Sequence, residues 1–464
     1  MSRGSLSTGL NELLKEANQL NPGGSLRLND SMVSTIYSRA EEIAGRVVTR
    51  EGKPNIDWDK KLDDILTSRF FGFPSMLLLL AVIFWITVAG ANVPSKILAT
   101  GLFWGQERLT ELLYWLHAPA WVNGFFVEGI YRCLAWVVSV MLPPMAIFFP
   151  CFTLLEDMGY LPRIAFNLDN LFKKAGTHGK QSLTMSMGFG CNAAGVIACR
   201  IIESPRERLI AMLTNNFVPC NGRFPTLIAL AGLLVMGVAT SFGATIIVVG
   251  IVLFGIVTTL AVSWVLSKTL LKGVPSSFTL ELPPYRKPQI GRIITRSIFD
   301  RTLFVLRRAV CVAAPAGAVI WLLANINIGG VSILAHAANW LDPFGQMLGM
   351  DGYIIMAFLL GLPANEIVMP ILIMSYMATG SMIELDSLEA LHRLFVGEHG
   401  WTWLTAVCMM LFSLLHYPCG TTLWTIFKES CSFKWTALAA LIPLGVAITV
   451  CFVVAQTVRL LGWA

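Results

Sequence analysis

Residues 73–93 read FPSMLLLLAVIFWITVAGANV, an apolar tract without a single charge. Roughly 20 consecutive apolar residues wound as a helix cross the hydrocarbon core of a bilayer, so this tract predicts a membrane-spanning helix. The stretch after it, VPSKILATGLFWGQERLTELLYWLHAPAW, mixes apolar and charged positions at helical spacing and reads as helices lying in the membrane interface. The whole chain agrees with a lipid setting. Of its 464 residues 55% are hydrophobic and 13% charged, whereas a soluble domain carries about a quarter charged residues.

Further apolar tracts cover about 135–155, 182–202, 209–235, 241–267, 304–327, 353–379, 401–427 and 435–461. They predict on the order of eight spanning or re-entrant segments. The expected fold is all-α, a polytopic helical membrane protein. Residues 1–70 are polar, with Val33, Ile36, Tyr37, Ala40, Ile43, Ala44 and Val47 at three- and four-residue steps, and read as a cytosolic amphipathic helical region. No short apolar core with a cleavage site opens the chain, so this region is expected to stay cytoplasmic. Lys272, Arg286, Lys287, Arg292, Arg296, Arg301, Arg307 and Arg308 make the segment after Lys268 basic, hence cytoplasmic. The expected division is 1–70, a first membrane half at 71–268, a basic linker at 269–303 and a second membrane half at 304–464. The ten cysteines lie mostly in or beside apolar tracts and read as free thiols. A net charge of +6 is accounted for by cytoplasmic loops and gives no case for nucleic acid.

Several apolar tracts are interrupted, and polar residues gather at the interruptions. MSMGFGCNAAGVIACR (185–200) places Cys191 and Asn192 among glycines that loosen a helix. Close helix packing by small residues is the competing account. NNFVPCNGRFPTLIAL (215–230) puts Cys220, Asn221 and Arg223 between Pro219 and Pro225, where a broken backbone frees carbonyl oxygens. A thiolate there suits a soft metal, while Arg223 is read as structural, tying down carbonyls or pairing with a carboxylate. GLPANEIVMPIL (361–372) sets Asn365 and Glu366 in an apolar tract. An ionisable residue at membrane depth is a functional candidate by default, although Glu366 is also open to pairing with Arg223. LLHYPCGTTLW (414–424) spaces His416 and Cys419 three apart, able to face one cavity, with a surface cap the alternative for His416.

GFGCN at 188–192 matches GLPAN at 361–365, and PCNG at 219–222 matches PCGT at 418–421, a faint repeat across the basic linker. Repeats of this kind commonly put a substrate site at their interface near the midplane. The chain contains no G-x-x-x-x-G-K-[ST] loop, the nearest sequence being GTHGKQS at 176–182, and no metalloprotease or nucleophile motif. An enzymatic role is therefore not expected.

Taken together, LLEDMGYLPRIAFNLDNLFKKAG, MGFGCNAAGVIACRIIESPRERL, NNFVPCNGRFPTL, the NEIV element at 365–368 and YPCGTT followed by FKES resemble the membrane domain of the ferrous iron transporter B family. The resemblance runs from about Asp63 to the end. It implies two gate-type repeats with broken or re-entrant helices in a bacterial inner membrane. It also implies a metal path through Cys191, Cys220, Glu366 and Cys419, beside which Asn192, Asn365 and His416 complete the candidate metal-contacting set. Family members usually begin with a GTP-binding domain, and no such domain is legible here. The expected function is inward Fe²⁺ transport, with the ion as cargo and no resident cofactor. The expected partners are the lipid bilayer, a separate GTPase subunit or small accessory protein, and further copies of the chain. The alternatives are another divalent metal or a nucleoside as substrate, or a non-transporting membrane partner of a separate GTPase.

Overall fold

A computed structural model describes residues 24–47, 58–68, 71–177, 179–235, 241–272, 285, 288–383 and 388–462. Much of the expected basic linker and about half of the 1–70 region lie outside the described residues. In chain order the helices are α1 (Gly24–Val47), α2 (Trp58–Leu66), α3 (Gly72–Trp115), α4 (Arg132–Asp157), α5 (Tyr160–Lys174), α6 (Lys180–Gly190), α7 (Asn192–Ala198), α8 (Pro205–Thr214), α9 (Phe224–Val235) and α10 (Ser241–Lys268). They continue with α11 (Ile290–Arg296), α12 (Leu303–Asn325), α13 (Ile333–Met347), α14 (Gly352–Leu360), α15 (Val368–Met377), α16 (Leu388–His392), α17 (Trp403–Leu415), α18 (Gly420–Ser430) and α19 (Phe433–Leu460). A small antiparallel ribbon, β1 (Asn327–Ile328) and β2 (Val331–Ser332), joins α12 to α13.

Among the described residues, 6 helices are long and apolar enough to cross a membrane, or up to 7 if the pair α13 and α14, bent by 110°, counts as one span. Helix α3 corrects the reading of 93–115 as separate interfacial helices. It runs for 44 residues and absorbs Pro94, because a proline in a membrane helix kinks the chain more readily than it ends it. At 1.5 Å per residue it is about 66 Å long, well beyond a hydrocarbon core of about 30 Å. Its second half carries Lys96, Glu107, Arg108 and Glu111. Residues 24–47 form helix α1, whose Met32, Ile36, Ile43 and Val47 are exposed.

The interrupted tracts become two kinds of element. Helices α6 and α7 pack against each other as a hairpin whose tip is Cys191, and α14 and α15 form a second hairpin whose tip is 361–367. Equivalent tip residues share one backbone conformation: Cys191 has φ −153° and ψ 124°, and Ala364 has φ −152° and ψ 125°. The other two interruptions divide longer spans, α8 from α9 and α17 from α18. Val218 is extended, with ψ 125°, as the residue before Pro219 must be.

The hairpins enter from opposite ends of the bundle. The open end of the first is closed by Lys180 Nζ on Glu203 Oε1 at 3.1 Å, at the end carrying Arg200, Arg206 and Lys268. The open end of the second is closed by the Tyr376 hydroxyl donating to Asp351, with Trp401 Nε1 donating to Tyr376 Oη at 3.0 Å. It lies at the far end, where Asn325 Nδ2 donates to the Gly380 carbonyl at 2.8 Å. The tips consequently meet between the two ends. Cys133, Cys408 and Cys451 are fully buried packing residues, whereas Cys311 on α12 is exposed.

Candidate functional site

All four interruptions converge on one narrow cavity, lined by Cys191, Asn192, Cys220, Asn365, Glu366 and Cys419, together with Met141, Met145, Thr421 and Thr422. The backbone holds the breaks in register. Asn221 N donates to the Gly190 carbonyl at 3.3 Å, and Gly420 N donates to the Leu362 carbonyl at 2.7 Å, so each repeat ties its hairpin tip to its own broken span. Gly190 lacks a Cβ where the Phe148 ring of α4 lies against it, and Gly222 lacks one where the Glu366 carboxylate lies.

Between the repeats, Asn365 Nδ2 approaches Cys220 Sγ at 3.9 Å, bringing the second hairpin tip onto the first repeat's break. Cys419 Sγ is 3.2 Å from Thr422 Oγ1. Asn192 and Asn365, equivalent by the repeat, each hold a buried Oδ1 without a hydrogen-bond partner. An unsatisfied buried acceptor costs about 1–3 kcal/mol, and a cation is one species that relieves it. Among the described residues no three His, Cys, Asp or Glu side chains stand close enough together to hold a metal ion. The chemistry available is therefore a lining of soft sulfur, amide oxygen and one carboxylate.

Arg223 is buried and reaches across the repeats. Its Nη1 donates to the carbonyls of Asn216 and Leu414, both at 2.8 Å, and its Nη2 to Asn216 Oδ1, the His416 carbonyl and the Tyr417 carbonyl at 3.1, 3.3 and 3.2 Å. Two of these acceptors lie just past the end of α17 and one is in its last turn, so the guanidinium caps a broken helix, the carbonyl-tying role read from sequence. His416 does not line the cavity. Its Nδ1 faces the Phe412 and Ser413 carbonyls at 2.9 and 3.0 Å, and its ring packs among Phe358, Phe412 and Tyr417. The structure brings six of the seven sequence-chosen residues together and places His416 behind them. Met141 and Met145 escaped the sequence reading because methionine is ordinary packing material in a helix.

A second polar cluster sits at the basic end. Arg163 donates Nε and Nη2 to the two Asp63 carboxylate oxygens at 2.9 and 3.1 Å, and Nη1 to the Gly159 carbonyl at 2.6 Å. Its guanidinium lies 4.0 Å over the Tyr285 ring, and the Tyr285 hydroxyl donates to Asp63 Oδ1 at 2.8 Å. Burial works to raise the Asp63 carboxyl, yet the hydrogen bonds from Arg163 and Tyr285 overcome it and hold the group below the usual carboxylate range. Burial and the bond to Asp63 push Tyr285 up to about 12. The cluster ties α2, α5 and the linker together beside the first hairpin.

A family profile described as "Nucleoside recognition", the Gate profile, matches residues 138–234 and 306–433. A second, "Ferrous iron transport protein B C terminus", matches 248–300. The chain is 29% identical over 419 residues to "Fe(2+) transporter FeoB" of Staphylococcus aureus, covering 90% of this chain and 61% of the relative. The chain belongs to the ferrous iron transport protein B family. Within this family it is also similar to "Fe(2+) transporter FeoB" of Synechocystis, at 28% identity covering 87% of this chain and 63% of the relative. The protein of that name from Methanocaldococcus jannaschii is 26% identical, covering 98% and 65%. The chain thus spans about three-fifths of the length of the curated relatives it matches. No solved structure matches. Both segments of the Gate profile contain the interruptions that line the cavity, which makes the chain a multi-pass membrane domain of this family.

Proposed function

We propose that this chain conducts Fe²⁺ across a bacterial inner membrane, into the cell, through the cavity between the two hairpin tips. The observation carrying the reading is that four chain breaks, far apart in sequence, deliver three cysteines, three asparagines and a carboxylate to one place. Sulfur donors favour a borderline or soft divalent cation over Mg²⁺ or Ca²⁺, and Glu366 supplies a negative charge against the ion's two positive ones. In this reading the basic end, with its excess of Lys and Arg, faces the cytoplasm and the N-terminus lies inside. In this role the chain is a conduit and not an enzyme. The names of the relatives support iron, and the name "Fe(2+) transport protein A/Fe(2+) transporter FeoB fusion protein" of a Porphyromonas gingivalis relative supports a small accessory partner. A separate GTPase subunit docks, in this reading, at the basic end.

Anaerobic Fe²⁺ uptake into proteoliposomes containing this chain, beside a Glu366→Gln version and empty vesicles, tests the proposal. Saturable uptake that the variant loses is expected. Uptake equal in both removes Glu366 from the path, and no uptake by either removes self-sufficient conduction. The description of the Gate profile favours a second reading, a nucleoside substrate. Inhibition of Fe²⁺ uptake by a nucleoside, with Mn²⁺ and Zn²⁺ ineffective, decides for it.

A further inference from the structure

We infer that Met141 and Met145 are specificity-determining residues of the central cavity, two thioethers that favour soft cations over hard ones. The inference rests on the reading of the cavity as a cation path. Both residues lie on α4, a helix uninterrupted by the four breaks, and both line the cavity, Met145 at 3% exposure. Their spacing of one turn puts them on one face. The same face continues to Phe148, whose ring lies against bare Gly190 at the first hairpin tip. Helix α4 also packs against the second tip at Asn365–Ile367. The helix is thereby fixed against both tips, with its two methionines lining the gap between them.

The need for further donors comes from the cavity itself. Among the described residues no three His, Cys, Asp or Glu side chains come within chelating reach of one another. An ion seated there must complete its shell from other groups. The asparagine oxygens are hard donors and do not separate Fe²⁺ from Mn²⁺ or Mg²⁺. Thioethers do, because sulfur is polarizable and a neutral thioether is a poor replacement for the water shell of a hard ion. Met141 further packs against two of the three hydrophobic clusters of the bundle.

Leucine conserves most of the volume of methionine while removing the sulfur. Full-length wild type, Met141→Leu, Met145→Leu and the double variant are purified, and equilibrium dialysis measures binding of Cd²⁺ as a soft probe and Mn²⁺ as a hard one. Thermal stability of each is recorded alongside. The expected result is Cd²⁺ binding weakened severalfold in the double variant, with Mn²⁺ binding unchanged and stability retained by at least one single variant that shows part of the shift. Unchanged Cd²⁺ binding, equal weakening for both ions, or no Cd²⁺ binding by wild type overturns the inference. Fe²⁺ uptake by wild type judges the iron reading separately. A Cd²⁺-specific shift in a chain that carries no iron sinks that reading and spares the selector, and uptake without the shift does the reverse.

Discussion

The Glu366 carboxylate lies against the backbone of Gly222, in space that any larger residue would fill with its Cβ. One belongs to the second hairpin tip, the other to the break between α8 and α9, so this contact joins the two repeats inside the cavity. Replacing Gly222 with Ala adds one carbon and forces the carboxylate aside. Uptake of Fe²⁺ by Gly222→Ala is expected to fall at least as far as in Glu366→Gln, with the protein still folded. Uptake retained at the wild-type rate would show that the position of Glu366 is immaterial to conduction.

Arg223 caps α17 from the other repeat, and its removal takes the guanidinium donor from the buried carbonyls of Leu414 and Tyr417, while the His416 carbonyl keeps the Asn216 side-chain amide. Removing one member of a buried charged network costs about 3–5 kcal/mol. Arg223→Met is expected to unfold at a clearly lower temperature in detergent and to lose uptake. Arg223→Lys should rescue little, since one ammonium cannot reach acceptors that a planar fork serves together. An unchanged melting temperature for Arg223→Met would mean that the break holds without its cap.

His416 lies behind the cavity with Nδ1 turned to two carbonyls, so its ring acts there as a donor. In His416→Asn the side-chain amide nitrogen stands where Nδ1 stood, and uptake is expected to persist with its Fe²⁺ dependence unchanged. His416→Leu takes the ring donor from the buried Ser413 carbonyl, while the Phe412 carbonyl keeps the backbone N–H of residue 416, and should cost about 1–3 kcal/mol of stability. Loss of Fe²⁺ affinity in a well-folded His416→Asn protein would restore the histidine to the list of ion contacts.

The junction of Asp63, Arg163 and Tyr285 should hold over a defined pH window. Asp63 is held below its ordinary value, so its contribution is complete above the unfolded carboxylate range near 4 and is lost as pH falls through the lower folded value. Tyr285 is shifted the opposite way, to about 12. Its contribution is complete below the ordinary tyrosine value near 10 and is lost as pH rises toward 12. Hydrogen exchange over 58–66 is expected to be slow between these limits and to quicken on both sides. Asp63→Asn should show fast exchange throughout, and a flat wild-type profile would count against the junction as the anchor of α2.

The apolar tract at 73–93 settled that the chain enters lipid, because a helix is the way a lone strand of backbone satisfies its hydrogen bonds there. Pro219, Pro363 and Pro418 marked where helices break, since proline lacks the donor a helix interior needs. Cys191, Cys220, Glu366 and Cys419 stood out because polar or reactive groups beside such breaks are costly at membrane depth without a use. Sequence could not show that Cys191 and Ala364 adopt the same torsions, or that two hairpins enter from opposite ends. Those depend on contacts between segments well over a hundred residues apart. His416 and Cys419 looked alike in the sequence, three positions apart, and only the turn after Leu415 sent one behind the cavity and the other into it. Met141 and Met145 were invisible for the opposite reason. Their chemistry is that of ordinary packing until the tertiary structure sets them against a gap lined with sulfur, and local sequence fixes a side chain's face on its helix but not what that face meets.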